Sequence, residues 1–439
     1  GPDAHFVAEL FGFDNFPAAP FQISGDYARS GLELTFTNTT LNVGDYSVLF
    51  SGDIDLSERV PDLDLQLSAS GPDFSLIGPF VDVAGLPQQP FTITGRVQKE
   101  ISTWLADGVD IAVGENRLTV NGELETGSRG TTQIDIRATG PDISFVEEFT
   151  KLEGIPRRPF DVSATIRPDP LGIQVDNGIG LFGDNRIGID GVIALQPGLD
   201  GSVLEVELRG PELRNLRLLA GVPNLPGGSF DVAGRVAFLG DIVRLQGVEA
   251  EVGELQATAS GDVFMAGVDA GDFDLQVSAS GPDVLLLGEV APLQDFAGDP
   301  FSVSGNVRHQ GGMFSVTNLE ATLGSLSAEL QGYLVKEGQL ADITIAARAA
   351  DSDVLRKLVK LSYLPDGGVL LDGKIEKSET DIKFTATTLS IGEYRLTADG
   401  SLNLTPLEND SDLEFKVSGP SLAEIGRIFG NEKLPDKKY

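Results

Sequence analysis

The 439-residue chain contains no cysteine, which excludes disulfides, thiolate nucleophiles and cysteine-bound zinc. Its two histidines, His5 and His309, stand far apart and alone. A histidine-based metal site or catalytic triad is therefore not expected. One tryptophan, Trp104, and six tyrosines leave little of the sugar platform that paired-carboxylate glycosidase chemistry needs. No apolar run approaches the ~18 residues of a membrane span. No signal-peptide pattern opens the chain, so any export signal or anchor is expected outside it. Basic residues are scarce: 32 Lys and Arg face 66 Asp and Glu, for a net charge of −34. Such a field repels phosphate backbones and anionic headgroups, so nucleic acid is not an expected partner.

What is abundant is strand and turn material. Apolar residues make up 41%, and 53 glycines and 24 prolines punctuate runs rich in Val, Ile, Leu, Phe and Thr, a composition that favours strands joined by tight turns. The sequence also repeats itself. A Gly-Pro-Asp anchor begins at Gly1, Gly71, Gly140, Gly210 and Gly281, degrades to Ala349-Ala350-Asp351, and returns as Gly419-Pro420-Ser421. A Pro-Phe-x-Ile/Val-x-Gly anchor ends at Gly25, Gly95, Gly234 and Gly305, with Ala164 and Gly373 in the other two slots. A glycine pair eight residues apart recurs at Gly44/Gly52, Gly114/Gly122, Gly183/Gly191, Gly253/Gly261, Gly324/Gly332 and Gly392/Gly400. The first glycines of these pairs are separated by 70, 69, 70, 71 and 68 residues. Three anchors stepping together define six units of about 70 residues: 1–70, 71–139, 140–209, 210–280, 281–348 and 349–418, with a seventh begun at 419–439. The expectation is one continuous array, cut from a longer one.

Within the second unit, Phe91, Ile93, Gly95 and Val97 alternate with Thr92, Thr94 and Arg96, the period of a half-buried strand. Three more alternating runs carry Val109, Ile111 and Val113, then Leu118, Val120 and Gly122, then Ile134, Ile136 and Ala138. Each unit therefore reads as four antiparallel strands with one apolar and one charged face. A connector of about 19 residues follows, opening on an Asp or Ser N-cap. Its apolar spacing, as in Val354, Leu355, Leu358, Val359 and Leu361 or Leu422, Ile425, Ile428 and Phe429, predicts a short helix. Pro79 weakens that helix in the second unit, and the connector leaves through Leu86-Pro87 or Ile155-Pro156. The connector either caps one rim, keeping all strands antiparallel, or crosses the apolar face.

The fold class is thus mainly β: tandem repeats of four antiparallel strands and a connector helix, joined into an elongated curled sheet, groove- or taco-like. Two closures of the apolar face are open, a sealed sandwich or a trough. If it is a trough, the lining falls to the alternating apolar residues. In the first unit these are Phe21, Ile23, Val48 and Phe50; in the second, Phe91, Ile93, Ile111, Leu118, Val120, Ile134 and Ile136. The third contributes Phe160, Val162, Ile187 and Ile189, the fourth Phe230 and Val232, and the fifth Phe301, Val303 and Leu330. Glycines sharing this face, such as Gly95 and Gly122, either let the sheet bend or leave clearance for a crossing helix or an acyl chain.

Other motifs are set aside. Gly178 to Gly183 matches a dinucleotide-binding fingerprint, but Gly183 aligns with the hairpin glycines Gly114 and Gly253, where that motif needs a helix. Asp53/Asp55 and Asp62/Asp64 alternate on the polar face and read as solvated charge. Neither a nucleophile elbow nor a Walker loop occurs. No catalytic residue, metal or cofactor is expected, and the chain does not read as an enzyme.

The succession Gly71-Pro72-Asp73, Leu86-Pro87, Pro90-Phe91, Gly95, Val113-Gly114 and Gly122, repeated along essentially the whole chain, resembles the repeats of AsmA-like proteins, which include TamB and YhdP relatives. The third and sixth units depart most, at Ala164 and Ala349-Ala350. The resemblance implies a periplasmic β-structure anchored in the Gram-negative inner membrane by a segment not present here. It also implies an architecture like that of chorein-type bridge proteins. The function it implies is a passive conduit or scaffold for phospholipid or another acyl-chain lipid between inner and outer membranes, with envelope proteins as further partners. The competing expectation is a closed β-repeat spacer, or an assembly factor for outer-membrane proteins, without lipid cargo.

Overall fold

The structure, a computed structural model, describes residues 1–4, 19–57, 62–77, 86–100, 103–125, 132–146, 157–216, 226–265, 271–286, 294–335, 340–359, 363–404, 411–428 and 435–438. It is mainly β, and its 24 strands belong to one sheet. Two compact units divide the chain, residues 1–197 with 204–208 and residues 198–203 with 209–439.

In the first unit the strands are β1 (Phe21–Ser30), β2 (Glu33–Val43), β3 (Tyr46–Asp55), β4 (Asp62–Gly71), β5 (Phe91–Glu100), β6 (Thr103–Val113), β7 (Asn116–Glu125), β8 (Gln133–Gly140), β9 (Phe160–Asp169), β10 (Gly172–Phe182) and β11 (Asn185–Ala194). Each pairs antiparallel with the next. A strand β12 (Val203–Gly210) spans the division. The second unit continues with β13 (Phe230–Leu239), β14 (Ile242–Val252), β15 (Leu255–Phe264), β16 (Phe273–Gly281), β17 (Phe301–Gln310), β18 (Met313–Leu323), β19 (Leu326–Val335), β20 (Leu340–Ala349), β21 (Val369–Lys377), β22 (Asp381–Ile391), β23 (Tyr394–Asn403) and β24 (Asp412–Ser418). These too pair consecutively and antiparallel.

The anchors now have physical causes. The first glycine of each pair opens a two-residue hairpin at a φ of 55° to 59°, where glycine pays no steric cost. Its N–H donates to the carbonyl two residues before the unit's second strand-face position, as Gly114 does to Pro90 at 2.9 Å and Gly44 to Pro20 at 3.0 Å. Proline fits that place because it lies before the first ladder position and owes no N–H to the sheet. The Asp of Gly-Pro-Asp caps the turn that follows: Asp73 Oδ1 accepts the N–H of Ser75 at 2.9 Å, and Asp142 and Asp283 accept equivalent bonds from Ser144 and Leu285.

The connector caps one rim. Gly71 pairs with Phe91, and the N–H of Phe74 donates to the carbonyl of Gln89 at 2.9 Å. Ile143 and Arg158, Leu213 and Gly228, Val284 and Asp299, and Leu422 and Lys437 repeat this closure. Strands on both sides of a connector are antiparallel, β4–β5 and β20–β21 among them, so the crossing alternative is not the one adopted there. Helix content is smaller than expected. The connectors open with single 3-10 turns at Phe74–Ile77, Ile143–Val146 and Leu213–Leu216, and α-helix forms only at α1 (Asp353–Val359) and α2 (Leu422–Ile428) among the described residues. Pro79, Leu361, Phe429 and Ile155-Pro156 lie outside the described residues.

A bulge sits halfway along each repeat. It skips Gly95 in β5 against Gly108 and Val109 in β6, and the residue at its apex takes a positive φ in every copy: Asn38, Gly108, Asn177, Gly247, Asn318 and Ala386. The freed N–H at the apex is met from the third strand, by Ser51 Oγ, Asn121 Oδ1, Asp190 Oδ1, Ser260 Oγ and Asp399 Oδ2 in turn. Ala386, at φ 48°, is the one apex residue that is neither Gly nor Asn. Replacing Ala386 with glycine should raise the urea midpoint, by up to about 1 kcal/mol of stability. Gly122→Ala should lower it by roughly 1–3 kcal/mol, because the added Cβ would collide with the carbonyl oxygen of Gln133 in the neighbouring strand.

Candidate functional site: the apolar face

Strand registers place every candidate lining residue on one face. In the first unit, Ile93 lies opposite Ile111, Ile111 opposite Leu118, Val120 opposite Ile136, and Gly122 opposite Ile134. Phe21, Ile23, Val48 and Phe50 join the same face through Val43, Leu41 and Thr39, and Phe160, Val162, Ile187 and Ile189 through Phe182, Gly180 and Gly178. In the second unit Phe230 and Val232 face Val252 and Ala250, while Phe301, Val303 and Leu330 face Leu323, Ala321 and Leu319.

Burial on this face is graded from one rim to the other. At the connector rim Phe91, Phe160, Phe230 and Phe301 are buried, at 5 to 7% exposure. Phe74 packs on Phe91 with ring centroids 5.4 Å apart, and Tyr46 at 6.4 Å. Val284, Phe296, Val354 and Leu364 of the connectors complete the seam. These four phenylalanines therefore hold the rim and are withdrawn from solvent. The middle rows differ: Ile93, Ile111, Leu118, Val120, Ile134 and Ile136 are all only half-buried. Among described aliphatic residues larger than alanine there, Val175 alone is buried. At the far rim the face is exposed: Trp104 at 37%, Leu334 at 41% and Phe314 at 48%. On strand β1, Ile23 stands at 59%. A sealed sandwich buries its middle rows most deeply; here the deepest burial is at an edge.

The glycines on this face answer to the sheet's own geometry. A Cβ at Gly95 would lie 2.6 Å from Val109 Cα, and one at Gly305 2.7 Å from Leu319 Cα. Their neighbours are adjacent strands, so the bend, and not clearance for a helix or acyl chain, accounts for them.

The polar face carries cross-strand ion pairs. Arg96 grips Asp64 through Nε at 2.7 Å and Nη2 at 2.6 Å, Arg137 holds Asp161 likewise, and Arg244 holds Asp262. The Arg96, Arg137 and Arg244 guanidiniums hold the Asp64, Asp161 and Asp262 carboxyls below the usual carboxylate range. Asp53 and Asp55 pair in register with Asp64 and Asp62 on this face, and no group of three or more metal-ligating side chains occurs among the described residues. An open recess of about 660 Å³ lies over Ser302, Glu320, Ser327, Arg348 and Arg395 on the polar side. It pairs no nucleophile with a base. The glycines from Gly178 to Gly183 sit within β10 and its hairpin into β11, not before a helix. No described helix is long and apolar enough to cross a membrane.

The bulge apex and its cap escaped the sequence reading, although Asn or Gly recurs at Asn38, Gly108, Asn177, Gly247 and Asn318 with the repeat period. No family model, curated protein or solved structure matches the chain.

A carboxylate with a lower pKa folded than unfolded adds stability above its ordinary value of 3.8 and loses it as pH falls through the folded value. Arg96→Gln should therefore lower the urea midpoint at pH 7, and the gap to the parent protein should close below about pH 4. A gap unchanged at pH 2.5, a test value about one unit below the ordinary carboxylate range, would show that Arg96 acts through packing alone.

Proposed function

We propose that the chain is a non-enzymatic scaffold whose apolar face takes up the acyl chains of phospholipid or a similar lipid, and passes them passively from repeat to repeat. The observation that carries this reading is the burial gradient: repeated rows of Ile, Leu and Val are left half-exposed between a sealed rim and an open one. Apolar surface repeated at this scale in a soluble protein calls for an occupant. Each methylene that leaves water for such a surface gains roughly 0.8 kcal/mol, and adjacent repeats offer nearly the same rows, so movement between them is close to isoenergetic. Lipid headgroups stay in water beyond the open rim.

The resemblance to AsmA-like repeats supports the same reading and adds a setting. That setting is a Gram-negative periplasm, with attachment to the inner membrane through segments outside this chain, traffic toward the outer membrane, and envelope proteins as partners. The alternative is a spacer or assembly factor for outer-membrane proteins that carries no lipid.

A photo-crosslinking amino acid at Ile111 should trap phospholipid in cells. Ile111→Asp with Val120→Asp should cut lipid recovered by mass spectrometry several-fold while the connector rim stays folded. Protein adducts alone, with no lipid in the purified chain, would establish the spacer.

A further inference from the structure

On the strands whose registers are described, charge is divided absolutely between the two faces. Every strand Asp and Glu lies on the polar face, from Asp26 opposite Thr37 to Glu414 opposite Asp399, although acids outnumber bases 66 to 32 in the sequence. The apolar face carries four ionisable groups, all basic: Arg29, Lys99, His309 and Lys377. All four occupy one repeat position, eight residues after the connector-rim residues Phe21, Phe91, Phe301 and Val369. In the other two repeats this place holds Pro168 and Phe238.

We propose that this row, at the rim opposite the connectors, is a subsite for the phosphate of an anionic glycerophospholipid whose chains lie on the neighbouring apolar rows. This rests on the acyl-chain reading above and adds a headgroup preference to it. Dimensions fit. From Lys99 back to Ile93 is six residues, about 20 Å along a strand, against about 15 Å for the hydrocarbon of one leaflet. A phosphate at the basic row thus sets chain ends short of the Phe91 seam. The partners across the ladder are apolar or aromatic: Leu34 beside Arg29, Trp104 beside Lys99, Phe314 beside His309 and Ile382 beside Lys377. Lys99 Nζ lies 6.0 Å from the Trp104 ring centroid. Such neighbours lower the local dielectric and strengthen a charge-assisted contact to phosphate. His309 is the weakest member, since Asp272 Oδ1 stands 2.8 Å from its Nδ1; Arg29, Lys99 and Lys377 carry the proposal. The net charge of −34 repels anionic lipid overall, so a preference for it has to come from this row.

The test offers the intact chain vesicles of phosphatidylcholine alone, or an equimolar mixture with phosphatidylglycerol, and measures the lipid extracted. The expected result is about fivefold enrichment of phosphatidylglycerol, the equilibrium equivalent of roughly 1 kcal/mol for one partly exposed charge contact. That enrichment should disappear in Arg29→Gln, Lys99→Gln, Lys377→Gln without loss of total lipid. Because Lys99 is buried, the double variant Arg29→Gln, Lys377→Gln serves where the triple one fails to fold, and should halve the enrichment or more. Extraction of both lipids at the input ratio, unchanged in the variants, would overturn the headgroup subsite and leave the acyl-chain reading standing. No extraction of either lipid would overturn both. Release of phosphatidylglycerol by inorganic phosphate would assign the row to a free anion instead.

Discussion

Everything in this structure depends on side-chain parity. In a β-strand neighbouring residues point to opposite faces, so a slip of one residue would exchange the faces and set carboxylates among the isoleucines. The bulge in each repeat makes such a shift deliberately. Between Thr94 and Arg96 the first strand skips one residue, while the second skips two between Asp110 and Asp107. The inward series on β6 therefore changes phase, from Val109, Ile111 and Val113 to Trp104 and Ala106. Were the alternation kept through the apex, Asp107 and Leu105 would turn inward. The left-handed apex residue and its cap from the third strand hold that phase change in place, and with it the separation of acid from hydrocarbon.

Much of the architecture was legible in the sequence. The repeat length, the four strands per unit and the shared face of Ile93, Ile111, Val120 and Ile136 follow from alternation and glycine spacing, because hairpins and ladders are set by local chemistry. The connector was less legible. Its i, i+3 and i+4 apolar spacing is shared by a helix and by a capped turn docking two or three side chains, and Phe74 and Val284 are spent on the seam rather than on helix faces. The glycines had two readings on paper; only the neighbouring strand, with Val109 Cα close to Gly95, separates them. The basic row was invisible for another reason. Net charge averages over both faces, and Arg29, Lys99 and Lys377 emerge as a set only when the bulge phase is known.

The two faces also divide the physical roles. Ion pairs such as Arg96 with Asp64 and Arg308 with Asp274 stay on the solvated side, where each is worth little but all favour one register. The apolar side concentrates its full burial at the connector rim and leaves the remainder accessible. A closed spacer would place its deepest burial in the middle rows; a surface that exchanges ligands has reason to keep them open. The stability of the array and its proposed ability to hold lipid thus rest on different rows of the same strands.

The absence of cysteine from the sequence makes the central claim, an accessible apolar face, directly measurable. Single cysteines at Ile111 and at Phe91, in delipidated protein under native conditions, would be compared for their rate of maleimide labelling. The account predicts fast labelling of Ile111→Cys and protection of Phe91→Cys until the chain is unfolded. Equal protection at both positions would contradict it and mark the face as sealed.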